Sequence, residues 1–220
     1  MKDFRRKRIA LATGMSLGLL LAWMVAPFDV DWSNRLRTLD LPGDIDKVIM
    51  LSEFLAQGLT TLLMLGTLIY LDACRRRALG WVLLLTLVTG VVANVSKGLF
   101  PRVRPYALEE FPGLVSQAGW GVKLPEGGWK ARLRSFPSGH SATVAALAVG
   151  MSAVYPKGRL LFALWAALAC LQRVVAGAHY PSDVFGGVAI ALAIATLWPW
   201  KPMQADPEHA IASGPTNAIR

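Results

Sequence analysis

The sequence predicts an all-α fold, a polytopic membrane protein in which about six transmembrane helices form one helical bundle. Of the 220 residues, 54% are hydrophobic and only 17% are charged, a composition too apolar for an ordinary soluble domain. The apolar residues gather in six stretches, most of which approach the roughly 20 residues that a helix needs to cross a bilayer. We therefore expect one domain over residues 1–201, followed by a disordered cytoplasmic tail at 202–220, which is polar and has no apolar period.

The six predicted helices alternate with polar segments of very different length. They cover residues 9–28, 51–71, 79–96, 141–155, 160–177 and 184–200. The first follows a basic stretch like that of a signal peptide, but it is long enough to span and lacks a clear small-residue cleavage site. We expect an uncleaved anchor helix there. Trp23, Trp198 and Trp200 lie near predicted helix ends, as aromatic residues that anchor a helix at the membrane interface would, although tryptophans also serve as packing.

The positive charges lie in short clusters between the apolar stretches. The formal net charge is +9, but the Lys and Arg residues do not follow one polar face, so nucleic acid is not an expected partner. Basic residues are retained on the cytoplasmic side of a membrane. With six crossings, four basic groups share that side, namely residues 5–8, 75–77, 156–159 and 201. The outer loop at 98–139 and the turn at 179–183 then lie on the opposite side.

The two cysteines predict no structural cross-link. Cys74 and Cys170 lie in or beside apolar segments and far from any cluster of Cys and His residues. Neither a disulfide framework nor a zinc site is therefore expected.

Three short polar clusters lie where predicted helices meet the outer segments. They are Lys-Gly-Leu-Phe-Pro-Arg-Val-Arg-Pro at 97–105, Ser-Phe-Pro-Ser-Gly-His at 135–140, and Arg-x5-His-x3-Asp at 173–183. In the predicted topology all three clusters come to the same side of the membrane. Together they supply cations, two histidines, a carboxylate and a glycine-containing turn at the start of a helix.

These residues match what phosphoryl transfer requires of a protein. Lys97, Arg104 and Arg173 are fixed cations that can hold the non-bridging oxygens of a phosphate ester and stabilise the charge that develops on them. Ser138 and Gly139 open the fourth predicted helix, where unpaired backbone N–H groups and the helix dipole favour an anion. The pattern therefore predicts a phosphate cradle.

Two histidines can divide the remaining chemistry. His179 has Asp183 four residues later, close enough to accept a hydrogen bond from one ring nitrogen and to leave the other nitrogen for attack on phosphorus. His140 has no such partner nearby in the sequence, so we expect it to be the general acid that protonates the leaving oxygen.

In this order, the spacings Lys-x6-Arg-Pro, Pro-Ser-Gly-His and Arg-x5-His-x3-Asp resemble the three-part signature of the type 2 phosphatidic acid phosphatase (PAP2) superfamily. The resemblance runs from the third predicted helix to the sixth. It implies a bacterial integral membrane lipid phosphatase of the inner membrane, with its active site facing the periplasm or exterior. It also implies a reaction without a metal or other cofactor, and no Asp/Glu/His cluster in the sequence predicts one.

The resemblance implies the same roles as the chemistry of the residues. Lys97, Arg104 and Arg173 would be phosphate ligands, with Ser138 and Gly139 as the cradle; His140 would be the acid, His179 the nucleophile that forms a phosphohistidine, and Asp183 its orienting partner. One departure is Gln172, which stands where the family usually has a serine. Glutamine can still form a hydrogen bond but is longer than serine, and the other positions keep the pattern.

The expected reaction is hydrolysis of a lipid phosphate monoester or diphosphate, with the bilayer and a phosphorylated lipid as partners. Candidate substrates are undecaprenyl diphosphate, lipid A, phosphatidylglycerol phosphate and phosphatidic acid. A lipid phosphotransferase that uses the same histidine is the main alternative. A non-enzymatic transporter of anionic lipids and a vanadium haloperoxidase are more distant ones, and the oligomeric state stays open.

Several residues near the clusters have no role fixed by the pattern. Arg102 lies in the first cluster but off its fixed positions, where it would either meet headgroups or a second phosphate or play no part in the site. Arg132 and Arg134 precede the second cluster, where an anionic lipid headgroup could pass, but a solvated or membrane-facing role is the expectation. Trp120 and Trp129 are expected to pack the outer loop or to enter the interface, and His209 in the tail is expected to be inert.

Overall fold

The computed structural model of the chain describes residues 2–110 and 131–200, with side chains from residue 5 onward. Eight α-helices occupy these ranges, namely α1 Lys2–Val25, α2 Asp29–Arg37, α3 Gly43–Leu51, α4 Gly58–Leu71, α5 Arg76–Ser96, α6 Gly139–Val154, α7 Arg159–Val175 and α8 Pro181–Leu197. The predicted all-α class is confirmed. The tail at 202–220, with His209, and the loop residues Trp120 and Trp129 lie outside the described residues.

By length and apolarity, three described segments can cross a membrane, namely Arg5–Arg37, Arg76–Ser96 and Pro156–Val175. A bent pair, Gly43–Ala56 with Gly58–Leu71, adds a fourth candidate span. The two remaining predicted helices correspond to α6 and α8, which are apolar but shorter. The predicted count of six is therefore an approximate description of these helices.

The second predicted helix, 51–71, is wrong as one continuous element. Residues Ser52–Ala56 form a 3-10 turn, and Gln57 is extended with φ −79° and ψ 131°. The helix axis bends by 74° at this break, and α4 starts again at Gly58. An extended residue cannot continue the i to i−4 hydrogen bonds of a helix. The prediction from hydropathy therefore treated as one helix a segment that the backbone divides.

Helix α6 lies at the centre of the bundle, with α5, α7 and α8 packed around it and α1 packed on the outer side of α8. Small residues allow these close approaches. A Cβ atom at Gly18 would lie 3.3 Å from the Cβ of Ala189, and one at Gly150 would lie 2.8 Å from a methyl group of Val82. The backbones therefore come close where α1 joins α8, and Gly150 leaves room for the Val82 side chain where α5 joins α6.

The main apolar core joins α4, α5, α6 and the end of α8. It includes the fully buried Leu65, Leu79 and Leu85. Trp198 and Trp200 are also buried, and the Trp198 ring meets Trp81 edge to face at 6.0 Å. The expectation that these two tryptophans face the membrane interface is therefore wrong, because they pack the core. Trp23, in contrast, is 75% exposed.

Two of the basic turns come together at one end of the bundle. The Tyr155 hydroxyl donates a hydrogen bond of 2.9 Å to Asp72 Oδ2, and the Arg75 guanidinium lies over the Tyr155 ring at 5.1 Å. The turn before α5 and the turn before α7 are thus on the same side, as the positive charges predict. The three polar clusters lie at the opposite end.

Candidate active site

The first and second clusters line one cavity of about 620 Å³, whereas the third cluster, with Arg173 and His179, does not line it. Lys97 and Arg104 from the first cluster, and Gly139 and His140 from the second, line it directly. The walls below them come from α4, α5 and α6, and they carry a few small polar side chains among apolar ones, namely Thr61, Thr86, Leu87, Gly90, Val91, Asn94, Val95 and Thr143. The cavity therefore joins a polar, positively charged end to a less polar cleft beside α5.

Lys97 lies directly after α5 and reaches the start of α6. A Cβ atom at Gly139 would lie 3.5 Å from the Lys97 Nζ, so the ammonium group stands against the backbone of the predicted cradle. Burial and the neighbouring Arg104 and Arg134 lower the pKa of Lys97 to about 8. Burial also lowers the pKa of Arg104. Several buried cations in one place indicate that the site suits an anion.

The start of α6 is held by Ser138. Its side chain caps the helix, accepting hydrogen bonds from the Ser141 backbone N–H at 3.3 Å and the Ser141 hydroxyl at 2.9 Å. The Ser138 backbone N–H donates to the Asp183 carbonyl at 3.0 Å. This pattern ties the second cluster to the third. The first backbone N–H groups of α6 point out of the start of the helix, where anions bind.

His179 and Asp183 face each other in the turn and first residues of α8. The His179 Nδ1 lies 3.5 Å from Asp183 Oδ2, slightly beyond a usual hydrogen bond, and both side chains are almost fully buried. Burial lowers the pKa of His179 to about 4, and Asp183 opposes this shift. The imidazole is therefore neutral at neutral pH, the form that can attack an electrophile.

The Asp183 carboxylate is fixed by more than the histidine. Its Oδ2 accepts hydrogen bonds from the Ser135 hydroxyl at 2.5 Å and from the Tyr180 backbone N–H at 2.9 Å. Asp183 is the third residue of α8 and Tyr180 caps that helix. Asp183 thus both supports the helix start and faces His179, as predicted for its two roles.

Arg102 is fully buried behind this pair and does not line the cavity. One terminal nitrogen donates to Ser182 Oγ at 2.7 Å and to Asp183 Oδ1, and the other donates to Asp29 Oδ2 at 2.6 Å. The suggestion that Arg102 meets headgroups or a second phosphate is therefore wrong. Its guanidinium pairs with two buried carboxylates and holds one of them beside His179.

Asp29, from the first residue of α2, is a partner that the sequence did not reveal. Its Oδ1 accepts from the Ser182 backbone N–H at 3.0 Å, and the Ser182 hydroxyl donates to its Oδ2. The residue follows the first predicted helix directly, where a carboxylate is indistinguishable by sequence from an ordinary solvated helix end. Its pairing with Arg102, 73 positions away, is a tertiary feature.

Glu53 is the second residue that sequence reasoning missed. Its Oε1 accepts a hydrogen bond of 2.6 Å from Arg173 Nη1 and lies 4.0 Å from His140 Nε2. Its Oε2 accepts from the Gln172 amide at 3.0 Å. His140 therefore has a carboxylate nearby in space, although none is near it in the sequence. A signal existed, because an acidic residue inside a predicted transmembrane segment usually marks a functional site.

Arg134 also lies elsewhere than expected. It lines the cavity with Lys97 and Arg104 and donates to the Asn94 carbonyl at 2.9 Å. The expectation of a solvated or membrane-facing role is wrong for Arg134. Arg132 is exposed and pairs with Glu110, which agrees with the expectation.

The arrangement can bind a phosphate group and act on it. The predicted site residues meet at one end of the bundle, with cations and a helix start on the cavity and a histidine–carboxylate pair beside it. Among the described residues, the Nε atoms of Arg104 and Arg173 are buried without hydrogen-bond partners, so these guanidinium groups retain donors for an anion. In the same part of the chain, no three His, Cys, Asp or Glu side chains cluster as metal ligands.

Comparison with known proteins agrees with the geometry. The chain is 38% identical over 112 residues to a lipid A 1-phosphatase of Rhizobium johnstonii, covering 50% of this chain and 43% of that protein. It is 38% identical over 101 residues to a lipid A 1-phosphatase of Rhizobium etli, covering 46% of this chain and 40% of that protein. The matched region therefore spans less than half the length of each of these relatives.

A solved structure has the same fold. The crystal structure of Aquifex aeolicus LpxE matches with a TM-score of 0.58 and 22% sequence identity, over 77% of this chain and 94% of that chain. The family model of the PAP2 superfamily matches residues 78–205, which is more than half of the chain and includes all three clusters. The chain belongs to the PAP2 superfamily.

Proposed function

We propose that the protein is a membrane lipid phosphatase that hydrolyses a lipid phosphate monoester or diphosphate through a phosphohistidine intermediate. The observation that carries this proposal is that cations and a helix start line one cavity, while the buried histidine–aspartate pair lies at the same end of the bundle. Lys97, Arg104 and Arg173 would hold the non-bridging oxygens of the phosphate. Ser138 and Gly139 would add the start of α6 as the cradle.

In the first step, the neutral His179 attacks phosphorus through Nε2, since Nδ1 faces Asp183. The bond from phosphorus to the lipid oxygen breaks as the new N–P bond forms, and His140 gives a proton to the departing oxygen. The Asp183 carboxylate stabilises the positive charge that develops on the His179 ring. Arg102 acts here only through Asp183, whose orientation it fixes.

In the second step, water attacks the phosphohistidine. His140, which lost its proton in the first step, now takes one from the water as the N–P bond breaks. Free phosphate leaves, and both histidines return to their starting protonation states. The sequence of steps needs no metal ion, so a chelator is expected to leave the rate unchanged.

The lipid tail is proposed to lie in the cleft beside α5. The cavity continues from Lys97 past Asn94 and Gly90 to Thr86, positions spaced about one helical turn apart on α5. Val91 and Val95 on the same wall are strongly exposed, so the cleft opens toward the apolar surroundings. A lipid can therefore place its phosphate at the charged end and its chain along α5.

Lipid A is the substrate to test first, because the two Rhizobium relatives are named as lipid A 1-phosphatases. Undecaprenyl diphosphate, phosphatidylglycerol phosphate and phosphatidic acid present the same phosphate chemistry. We place the site at the periplasmic or outer face of a bacterial inner membrane, since the basic turns at 75–77 and 156–159 belong on the cytoplasmic side. Labelling of a cysteine introduced at exposed Ala131 with a membrane-impermeant thiol reagent in intact cells would test this orientation.

The activity is tested by phosphate release from this panel of lipids in detergent, with and without a chelator. The parent protein is expected to release phosphate from at least one lipid, and His179→Ala is expected to release none. His209→Ala is a matched control, because it removes a histidine that lies outside the three clusters. Release of phosphate by His179→Ala at the parent rate would contradict the proposal.

A phosphotransferase remains the second candidate, because the same phosphohistidine can pass its phosphoryl group to another lipid. Donor lipid labelled in the phosphate distinguishes the two reactions. Hydrolysis yields labelled free phosphate, whereas transfer places the label on an added acceptor lipid.

A further inference from the structure

Glu53 is an acidic residue in an apolar turn. It belongs to the 3-10 turn Ser52–Ala56 between α3 and α4, and its neighbours Leu51 and Phe54 are exposed to the apolar surroundings. A carboxylate at such a place is costly unless it is paired. The Glu53 side chain is 31% exposed and is directed toward the site. The contacts that it makes there explain its position.

The first contact is with the proposed phosphate ligand on α7. Glu53 Oε1 accepts a hydrogen bond of 2.6 Å from Arg173 Nη1. Among the described residues, the Arg173 Nε is buried and has no hydrogen-bond partner. The guanidinium is therefore fixed at one nitrogen by Glu53 and retains another donor for a ligand.

The second contact is with the proposed general acid. Glu53 Oε1 also lies 4.0 Å from His140 Nε2, a contact that becomes an ion pair when the imidazole carries its second proton. That is the form a general acid needs. The other charged or titratable groups that face His140 are Lys97, Arg173 and His179, so within the described part of the chain Glu53 supplies the negative charge.

The third contact explains the departure from the family pattern. Gln172 stands where a serine is usual, and its amide donates a hydrogen bond of 3.0 Å to Glu53 Oε2. A serine side chain is shorter by two heavy atoms and could not reach as far. Gln172 thus fixes the second oxygen of the carboxylate, while Arg173 fixes the first.

We propose that Glu53 is a positioning residue for phosphoryl transfer. It fixes Arg173 and His140 relative to each other, and Gln172 in turn fixes the Glu53 carboxylate. This proposal rests on the proposed phosphatase activity. The Glu53 carboxylate contacts Arg173, a residue that would also hold the phosphate, so its negative charge would lie near that of the bound phosphate. Glu53 therefore opposes phosphate binding while it favours the protonated form of the acid that the chemical step uses.

This double effect separates positioning from a merely structural role. Glu53→Gln keeps the size of the side chain and an oxygen that accepts from Arg173, but it removes the charge. We expect kcat for an alkyl phosphate lipid to fall about tenfold or more, a part of the roughly 10²–10⁴-fold that general acid catalysis supplies. We expect inorganic phosphate to bind about threefold or more tightly, because a like charge has been removed.

The leaving group gives an independent readout. A para-nitrophenolate needs little protonation to depart, whereas the alkoxide of a lipid alcohol needs a proton. Glu53→Gln is therefore expected to reduce turnover of para-nitrophenyl phosphate much less than turnover of the alkyl phosphate. Gln172→Ser, which keeps the charge but loosens the carboxylate, is expected to lower kcat less than Glu53→Gln does.

The experiment measures kcat for both esters, and binding of inorganic phosphate by calorimetry, on the full chain in detergent. Asp44→Asn on α3 is the matched control, because Asp44 is exposed and far from the site contacts. Lower kcat with tighter phosphate binding and a leaving-group difference supports the proposal. An equal fall for both esters with weaker phosphate binding, or no change at all, overturns it.

Failure of the proposed function would look different. A parent protein that binds inorganic phosphate but cleaves neither ester would contradict the phosphatase activity and, with it, the role of Glu53 in that reaction. If the parent is active and Glu53→Gln has the same kcat and phosphate affinity as Asp44→Asn, only the role of Glu53 is contradicted.

Discussion

At the scale of single residues, burial prepares the proposed nucleophile and its charged surroundings. His179 is almost fully buried, which lowers its pKa to about 4, while the buried Asp183 faces one ring nitrogen. The same burial lowers the pKa of Lys97 to about 8. Between these two values the histidine is neutral and the lysine is charged, which is the combination that attack on a bound phosphate requires.

The pKa of Lys97 gives a prediction for the pH dependence of kcat/KM. As pH rises through about 8, Lys97 loses its proton and the site loses a cation, so kcat/KM is expected to fall. Lys97→Arg keeps its charge at these pH values. The falling limb should therefore move to higher pH in Lys97→Arg, as a series of kcat/KM measurements across the alkaline range would show. If the fall in kcat/KM occurs at the same pH in Lys97→Arg as in the parent, a group other than Lys97 titrates in that range.

Arg102 gives a prediction for stability. Arg102→Met leaves Asp29 and Asp183 buried without their shared cation. Removal of one partner from a buried ion pair typically costs about 3–5 kcal/mol. We expect a loss of that size in the free energy of unfolding in detergent, together with loss of activity, because Asp183 is no longer held beside His179.

Arg132→Met is the control for this experiment. Its partner Glu110 and Arg132 itself are both exposed, and an exposed ion pair contributes about 0–1 kcal/mol. If both variants unfold at the same denaturant concentration as the parent, the buried network does not stabilise the fold as described.

At the scale of helices, the site depends on how closely α8 approaches the start of α6. A Cβ atom at Gly187 would overlap the Ser138 carbonyl oxygen and would lie 3.2 Å from the Ala142 backbone nitrogen. One at Gly186 would lie 2.6 Å from the Phe136 ring. The glycines of α8 therefore bring the third cluster against the second.

Gly187→Ala tests this close approach. Because backbone atoms cannot move as a side chain does, we expect the added methyl group to push the two helices apart and to destabilise the fold by about 1–3 kcal/mol. The Ser138–Gly139 cradle should shift, so activity should fall. Gly66→Ala on α4 is a matched control, because its added Cβ meets nothing within 4 Å. Unfolding midpoints and rates of phosphate release that are equal for the two variants would contradict the packing.

The sequence predicted most helices because apolar runs and charged ends are local features. It also predicted that the clusters at 97–105, 135–140 and 173–183 meet, because alternating crossings bring them to one side. The break at Gln57 was missed, since an extended residue within an apolar run leaves no mark on hydropathy. The contacts of Glu53 and Asp29 were missed because they join distant parts of the chain.

At the scale of the whole molecule, the cavity connects the charged end of the bundle to a cleft between α4 and α5. Many large apolar side chains of the described helices are exposed, as suits a membrane protein. The proposed phosphate site therefore lies where a lipid can present a charged headgroup and keep its chain in apolar surroundings.

Gly90→Leu tests the path of the lipid chain. Gly90 lines the cleft, and even a Cβ atom there would lie 3.2 Å from the Thr143 hydroxyl. The larger side chain is expected to fill the cleft and to raise KM for a long-chain lipid phosphate about tenfold, the effect of losing about 1.4 kcal/mol of apolar contact. KM for a short, soluble phosphate ester should change little.

Gly80→Leu on the same helix is the control, because a Cβ atom at Gly80 meets nothing within 4 Å. An equal rise in KM for short and long substrates in Gly90→Leu would place the lipid chain elsewhere.

We propose that His179 carries the phosphoryl group during the reaction. The most direct test is to mix the protein with lipid labelled in its phosphate, stop the reaction within milliseconds in alkali, where phosphohistidine survives, and locate the label by mass spectrometry. We predict a phosphorylated peptide modified at His179 in the parent and in His209→Ala, and none in His179→Ala. Phosphate release by the parent with no label on His179, or with label retained in His179→Ala, would contradict the account.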